Sequence, residues 1–263
     1  MKALAVVPAF TSTGPDLDVL LTCLRTLRET EPDVDVLVVD DGSPDAELLD
    51  ALEGQAAALE FELYRKTENE GFSRTVNVGL HRALEQGVDA VLVNADIEFA
   101  RPGWLEQMQR QRTDGGEGLA AVVGARLLYP SGLIQHAGIF FSMLTRTFDH
   151  IYRYAPPDLP EALLPRRCPV TAALMFIRHE CLNSVGLYDE GFLLGWEDVD
   201  YCVRVFQSGR ECVYQPDVWA IHHESMFRGR ENEKLAEWQR RSWGYFLNKY
   251  RDTNFQAWVP TLL

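Results

Sequence analysis

Short apolar runs alternate with helical patterns through the first hundred residues. Residues 3–7, 34–39, 61–64 and 90–93 are continuous apolar stretches rich in β-branched side chains, each closed by a turn signal. Runs of this length suit strands buried on both faces. Between them, Leu17, Leu20, Leu21, Leu24 and Leu27 recur at spacings of three and four. Leu48, Leu49, Leu52 and Leu59 do so less strictly, and Phe72, Val76, Leu80 and Ala83 do so cleanly. Those spacings predict helices with one buried stripe. Strand and helix in alternation predict a parallel sheet covered by helices.

The pattern then changes. Residues 120–123 and 172–177 read as strands, and the proline-rich stretch 152–167 reads as a long irregular loop. A helix is predicted over 197–208, with Val199, Cys202, Val203 and Phe206 on one side and Gly209 just past its end. Residues 213–214 and 218–221 are predicted as two short strands. Residues 234–250 form a terminal helix carrying Trp238, Trp243 and Phe246. No internal repeat or linker interrupts the chain. The expectation is one α/β domain over 1–263 with two halves, about 1–98 and a mixed second half of about 99–263.

Composition narrows the class. With 46% hydrophobic and 24% charged residues, the 263-residue chain is that of a globular protein. The formal net charge of −14 disfavours nucleic acid and anionic lipid surfaces as partners. A polyanionic ligand then needs a local device to hold it, a cation or a helix N-terminus. The five cysteines, odd in number and never spaced as C-x-x-C, read as reduced thiols of a cytoplasmic protein. The N-terminal apolar run is cut by Pro8, so no signal peptide is expected, and no stretch approaches the length of a transmembrane helix.

In parallel α/β sheets, ligands bind beyond the carboxyl ends of the strands. Pro8-Ala9-Phe10-Thr11 follows the first predicted strand, Asp40-Asp41-Gly42-Ser43 the second, and Asn94-Ala95-Asp96 the fourth. Acidic groups therefore converge on one sheet edge. No G-x-G-x-x-G follows the first strand, and P-loop, H-E-x-x-H and G-x-S-x-G motifs are absent from the sequence. A phosphate site built from carboxylates needs a divalent cation between the two anions.

In order and spacing, PAF, VVDDGSPD, NEGFSRTVNVGL, NADIEF and GWEDVDYCVRV resemble the family 2 glycosyltransferases of the GT-A fold across nearly the whole chain. The resemblance implies a Rossmann-like, mostly parallel sheet with a mixed C-terminal acceptor half. It implies a metal-dependent inverting transfer from a nucleoside diphosphate sugar (UDP-, dTDP- or GDP-linked) to a saccharide or other hydroxyl acceptor. Pro8, Ala9 and Phe10 then match the base pocket. Asp40 and Asp41 match the acidic pair after the second strand, one of which contacts base or ribose. Asn69, Gly71, Phe72, Arg74 and Asn77 match the segment that cradles the nucleotide. Asn94-Ala95-Asp96 stands where the family carries D-x-D. This makes Asp96 the ligand for Mn²⁺ or Mg²⁺ and assigns Asn94 to ribose or diphosphate. Glu197-Asp198 matches the E-D motif, with Asp198 as base and Glu197 orienting the acceptor. His222, ahead of His223, matches a metal-binding histidine. The segment GARLLYPSGLIQHAG resembles rhamnosyltransferase-like members. There Gly132 marks a hairpin turn, and His136 is expected to pack or to face the acceptor, without a catalytic role. The alternatives are a nucleotide-sugar-binding member with little or no turnover, for which Asn94 speaks, and a sugar-phosphate nucleotidyltransferase, whose glycine-rich N-terminal loop the chain lacks.

Overall fold

The structure is a computed structural model that describes residues 2–113, 115–223 and 233–262. The first half is strictly alternating: β1 Ala3–Ala9, α1 Gly14–Thr30, β2 Asp35–Asp40, α2 Ala46–Gly54, α3 Ala56–Leu59, β3 Phe61–Arg65, α4 Phe72–Gln86 and β4 Asp89–Val93. The four strands are parallel, β1 lying between β2 and β4, with β3 outside β2. Every residue of β4, and all of β1 but Pro8, is buried. That is why these strands read as unbroken apolar runs.

Two helices seal opposite faces of this sheet. α1 buries Leu17, Leu20, Cys23, Leu24 and Leu27 against Val7, Val36 and Val38. On the other face α4 buries Val76, Leu80 and Ala83 against Leu4, Val6 and Leu37. Gly79 allows the close approach: a Cβ there would lie 2.3 Å from Val6 Cγ1. A larger residue would lift the helix from β1.

The second half extends the same sheet with mixed polarity. Its elements are β5 Ile97–Phe99, α5 Trp104–Arg110, β6 Val122–Leu128, β7 Ile134–His136, β8 Ile139–Ser142 and β9 Thr147–His150. There follow a 3₁₀ turn Pro160–Leu163, β10 Arg166–Arg167, β11 Leu174–Ile177, α6 His179–Val185, α7 Glu197–Gln207, β12 Cys212–His222, α8 Glu233–Lys249 and β13 Thr261–Leu262. The main path runs β10-β12-β6-β11-β4-β1-β2-β3, with β5 on β12 and β7 on β6. β11 is antiparallel to both β4 and β6 and joins the two halves. A small second sheet, β13-β8-β9, packs through Phe141 and Phe148 against Phe246 and Trp243 of α8.

The long first-half elements follow the hydrophobic pattern closely. One prediction is corrected: 213–214 and 218–221 are not two strands but parts of one, β12. Its register against β6 shifts between Gln215 and Trp219, around Pro216, which has no N–H to give the ladder. The strand predicted over 120–123 starts at Val122 and runs on to Leu128. The irregular stretch 152–167 contains the 3₁₀ turn and the two-residue β10. Among the described residues no helix is long and apolar enough to cross a membrane.

Candidate active site

The carboxyl ends of β1, β2 and β4 open into a cleft of about 620 Å³. Its far wall comes from β9, the segment before β11, the start of α7 and the start of α8. Pro8, Ala9 and Phe10 line it at the end of β1.

The two acidic residues after β2 take different parts. Asp40 is buried beneath the wall. Its carboxylate accepts from the Ser43 amide at 3.1 Å and from the Ser43 hydroxyl, and so closes the turn. Asp41 lines the cleft and gathers donors. Oδ1 accepts from Lys66 Nζ at 2.6 Å and the Glu70 amide at 3.0 Å, and Oδ2 accepts from the Gly71 amide at 3.0 Å. Asp41 thereby fixes the approach to α4, whose N-cap, Gly71, has no side chain to cap it.

Asn69 and Phe72 line the cleft beside Asp41, whereas Arg74 and Asn77 do not. Arg74 is half-exposed and pairs with Glu70 at 3.1 Å and Glu190 at 3.5 Å. Asn77 is buried. Its Nδ2 donates to the Tyr188 carbonyl and its Oδ1 accepts from the Tyr188 amide, both at 3.0 Å. Together with the bond from the Phe72 amide to Leu193 O at 3.1 Å, this fastens the 188–196 loop to α4. From the other side, Ser242 Oγ of α8 accepts from the amides of Leu193 and Leu194.

After β4 the chain turns at Asn94, whose side-chain Oδ1 is buried with no hydrogen-bond partner among the described residues, while the residue lines the cleft. Asp96 Oδ1 stands 3.0 Å from His222 Nε2, at the end of β12. The other ring nitrogen, Nδ1, is 2.6 Å from Gln135 Oε1. The Gln135 amide is oriented by its Nε2, which donates to His222 O at 3.4 Å. An amide oxygen only accepts, so the His222 hydrogen lies on Nδ1. Nε2 and Asp96 Oδ1 are then two electron-rich atoms in contact, and a proton or a cation must lie between them. Oxygen and imidazole donors, the latter oriented by an amide behind it, fit a divalent cation such as Mn²⁺. His223 points elsewhere, its Nε2 on Glu98 at 2.9 Å. Among the described residues no three His, Cys, Asp or Glu side chains gather around one point.

α7 starts at the opposite wall. Gly195 and Trp196 both have positive φ, 86° and 67°, and Trp196 lines the cleft as the helix N-cap. For a tryptophan that backbone is costly, and such strain persists where the surroundings enforce it; here the ring packs on Trp243 at 5.2 Å. Glu197 and Asp198 follow in the first turn, both lining the cleft. Asp198 accepts from the Val199 amide at 2.8 Å and from the Ala172 amide at 3.3 Å. Asp200 is fully buried instead, held by Arg204, Tyr250 and Lys249, and ties α7 to the end of α8.

Several cleft residues carry no sequence signal that ties them to the site: Asp149, His150, Arg153, Thr171, Ala172 and Trp238. They lie in short strands, loops or an amphipathic helix, and only packing brings them to the site.

Comparison with known proteins fits this geometry. The model of Glycosyl transferase family 2 matches residues 5–170, and the chain belongs to that family. An uncharacterized protein of Sinorhizobium fredii, y4gI, is 30% identical over the whole chain, which spans 30% of that protein. The O-antigen biosynthesis protein RfbC of Myxococcus xanthus is 32% identical over 52% of the chain and 11% of its own length. The N-acetylglucosaminyl-diphospho-decaprenol L-rhamnosyltransferase of Mycobacterium tuberculosis is 25% identical over 87% of the chain and 78% of its length. The chain thus spans under a third of the first two relatives. Among solved structures, GalNAc-T7 with UDP, GalNAc and Mn²⁺ superposes with a TM-score of 0.62 at 15% identity, over 85% of this chain and 44% of that one. The mannosyltransferase PcManGT of Pyrobaculum calidifontis, with GDP-Man and Mn²⁺, gives 0.58 at 16% identity, over 84% and 56%. The fold is GT-A.

Proposed function

We propose that the chain is a metal-dependent, inverting glycosyltransferase that moves a sugar from a nucleoside diphosphate sugar to an acceptor hydroxyl. One observation carries the reading: the Asp96–His222 pair and the Glu197–Asp198 helix start face the same cleft at the strand ends. The family membership supports the reaction class. The relative named for rhamnosyl transfer supports the donor class, and the structural neighbours solved with UDP or GDP-Man and Mn²⁺ support a nucleotide-linked donor and a divalent cation.

In this reading residues 1–98 hold the donor and residues 99–263 the acceptor. Pro8–Phe10 and Asp41 bound the base and ribose, and Asn94 serves ribose or diphosphate: its Oδ1 can accept from a ribose hydroxyl, and its Nδ2 can donate to a phosphate oxygen. Asp96 and His222 would hold the cation, Mn²⁺ or Mg²⁺, with Gln135 keeping His222 Nδ1 protonated and Nε2 turned to the site. When bound, the cation offsets the negative charge that grows on the leaving diphosphate. Asp198 is the base. The helix N-terminus and the Val199 and Ala172 amides stabilise its anion. It takes the acceptor hydroxyl proton as that oxygen bonds to the anomeric carbon, while the bond to the diphosphate breaks on the opposite face. Glu197 orients the acceptor. The five cysteines, all buried and free, support a cytoplasmic enzyme.

The test is release of nucleoside diphosphate from UDP-, dTDP- and GDP-sugars with Mn²⁺ and a panel of alkyl glycosides. One donor class should be consumed, with the product anomer inverted by NMR. Diphosphate binding without release from any donor would sink the enzyme reading and favour the non-catalytic binder to which Asn94 points.

A further inference from the structure

Two imidazoles beside the cleft have no part in the chemistry above. His136, at the end of β7, is fully buried, and His150, at the end of β9, lines the cleft. Their Nδ1 atoms are 2.6 Å apart, and the rings meet edge to face with centroids at 4.8 Å.

The surroundings decide which ring gives its hydrogen. His136 Nε2 faces two backbone donors, the amides of Gly138 at 3.3 Å and Thr171 at 3.4 Å. A nitrogen that accepts from amides carries no hydrogen itself. The His136 hydrogen is therefore on Nδ1, and it donates to His150 Nδ1. His150 Nδ1 is thereby an acceptor, and the His150 hydrogen lies on Nε2. Burial, then the neighbouring His150, push the His136 pKa well below its ordinary value, so His136 remains neutral and the pairing holds.

The same segment binds the proposed base. The Thr171 amide donates to His136, and the next amide, that of Ala172, donates to Asp198 Oδ2 at 3.3 Å. His150 and Asp198 are thus set by neighbouring amides of one segment, on the wall across from the donor's strand ends. Asp149, beside His150, also lines the cleft, and its Oδ1 accepts from the His150 amide at 2.7 Å. A neutral N–H donor next to a carboxylate can read a sugar hydroxyl in both its roles, as acceptor and as donor.

We infer that His150 is an acceptor-recognition residue: its imidazole, with the hydrogen fixed on Nε2 by buried His136, donates a hydrogen bond to a hydroxyl or ring oxygen of a saccharide acceptor. His136 is the positioning residue behind it. This rests on the glycosyltransferase reading.

Two measurements test it on the full chain. Long-range ¹H–¹⁵N correlation spectra read histidine tautomers directly; His150 should carry its hydrogen on Nε2, and the His136→Ala variant should lose that bias. A hydrogen on His150 Nδ1 in the wild type overturns the proposal. The second measurement is kinetic, with the donor and alkyl glycoside that the wild type turns over. His150→Leu should raise the acceptor KM roughly tenfold and leave the donor KM within about twofold, as for one lost hydrogen bond. His150→Gln, which keeps an N–H at similar reach, should recover part of the loss, and His136→Ala should resemble His150→Leu. Equal changes in both KM values, or none in the acceptor KM, overturn the role of His150 while wild-type turnover leaves the glycosyltransferase reading standing. If the wild type releases no nucleoside diphosphate from any donor, that reading falls and the acceptor role falls with it.

Discussion

Single side chains in the cleft are set by what stands behind them. Asp198 is held by two amides at a helix start, one on each carboxylate oxygen, so replacing it with Asn keeps the size, gives up one of the two amide bonds and removes the proposed base. Asp198→Asn should lower turnover about a hundredfold to ten-thousandfold while nucleoside diphosphate affinity stays near that of the wild type. Turnover at the wild-type level would remove Asp198 from the mechanism. The two adjacent histidines differ in the same way. His222 faces Asp96 with Gln135 behind it, whereas His223 is engaged by Glu98. His222→Ala should therefore raise the Mn²⁺ needed for half-maximal activity by roughly 10- to 100-fold. His223→Ala should shift it much less; the reverse order would transfer the ligand role to His223.

Elements meet at the cleft through close backbone contacts. Gly71, at φ 94°, lies so near the 188–196 loop that a Cβ would sit 2.5 Å from Leu193 O. Gly71→Ala must push back either the start of α4 or that loop, at a cost of about 1–3 kcal/mol. Thermal melting should show the loss, and donor KM should rise because Asn69, Phe72 and Trp196 move with the displaced segments. A melting temperature equal to the wild type would mean that the loop is not clamped there. A second element-scale effect depends on pH. Asp89 opens β4 and accepts from the His179 amide at 2.9 Å, while its Oδ2 is buried without a partner among the described residues. Burial raises its pKa above the ordinary carboxylate value. Because the folded-state pKa is the higher one, the stabilising contribution is present below the unfolded pKa. It is lost as pH rises through the folded pKa. Asp89→Asn should remove this loss and narrow the gap in melting temperature between mildly acidic and neutral pH; an unchanged gap would show that Asp89 does not carry the effect.

At the scale of the whole molecule, charge and ligand oppose each other. The chain has a net charge of −14, and Asp41, Asp96, Asp149, Glu197 and Asp198 line the cleft that is proposed to receive a diphosphate. Like charges in a cleft with low-dielectric walls repel strongly, so donor binding should need a cation. Titration calorimetry should give nucleoside diphosphate affinity in Mn²⁺ that falls in EDTA and falls again in Asp96→Ala. Equal affinities in EDTA and Mn²⁺ would end the metal role. The single sheet carries both sides of the proposed cation site: β11 links β4, which leads into Asn94 and Asp96, to β6, which pairs with β12, and β12 ends at His222.

Periodicity by itself determined the alternating first half, because its strands are buried on both faces and its helices bury one stripe. Both facts are written as local spacing. It also showed which turns follow β1, β2 and β4, and the ordered motifs carried the family. Tertiary structure alone decided the rest. Of two adjacent aspartates it buried Asp40 and turned Asp41 to the cleft, a choice fixed by Ser43 and Lys66 rather than by either residue. It took Arg74 and Asn77 off the cleft wall, since their partners, Glu190 and Tyr188, lie over a hundred residues away. It made β12 continuous across Pro216, because pairing on β6 resumes past the missing N–H. And it set His150 against His136, two residues fourteen apart on strands of different sheets, whose hydrogen-bond roles depend on amides that no local pattern announces.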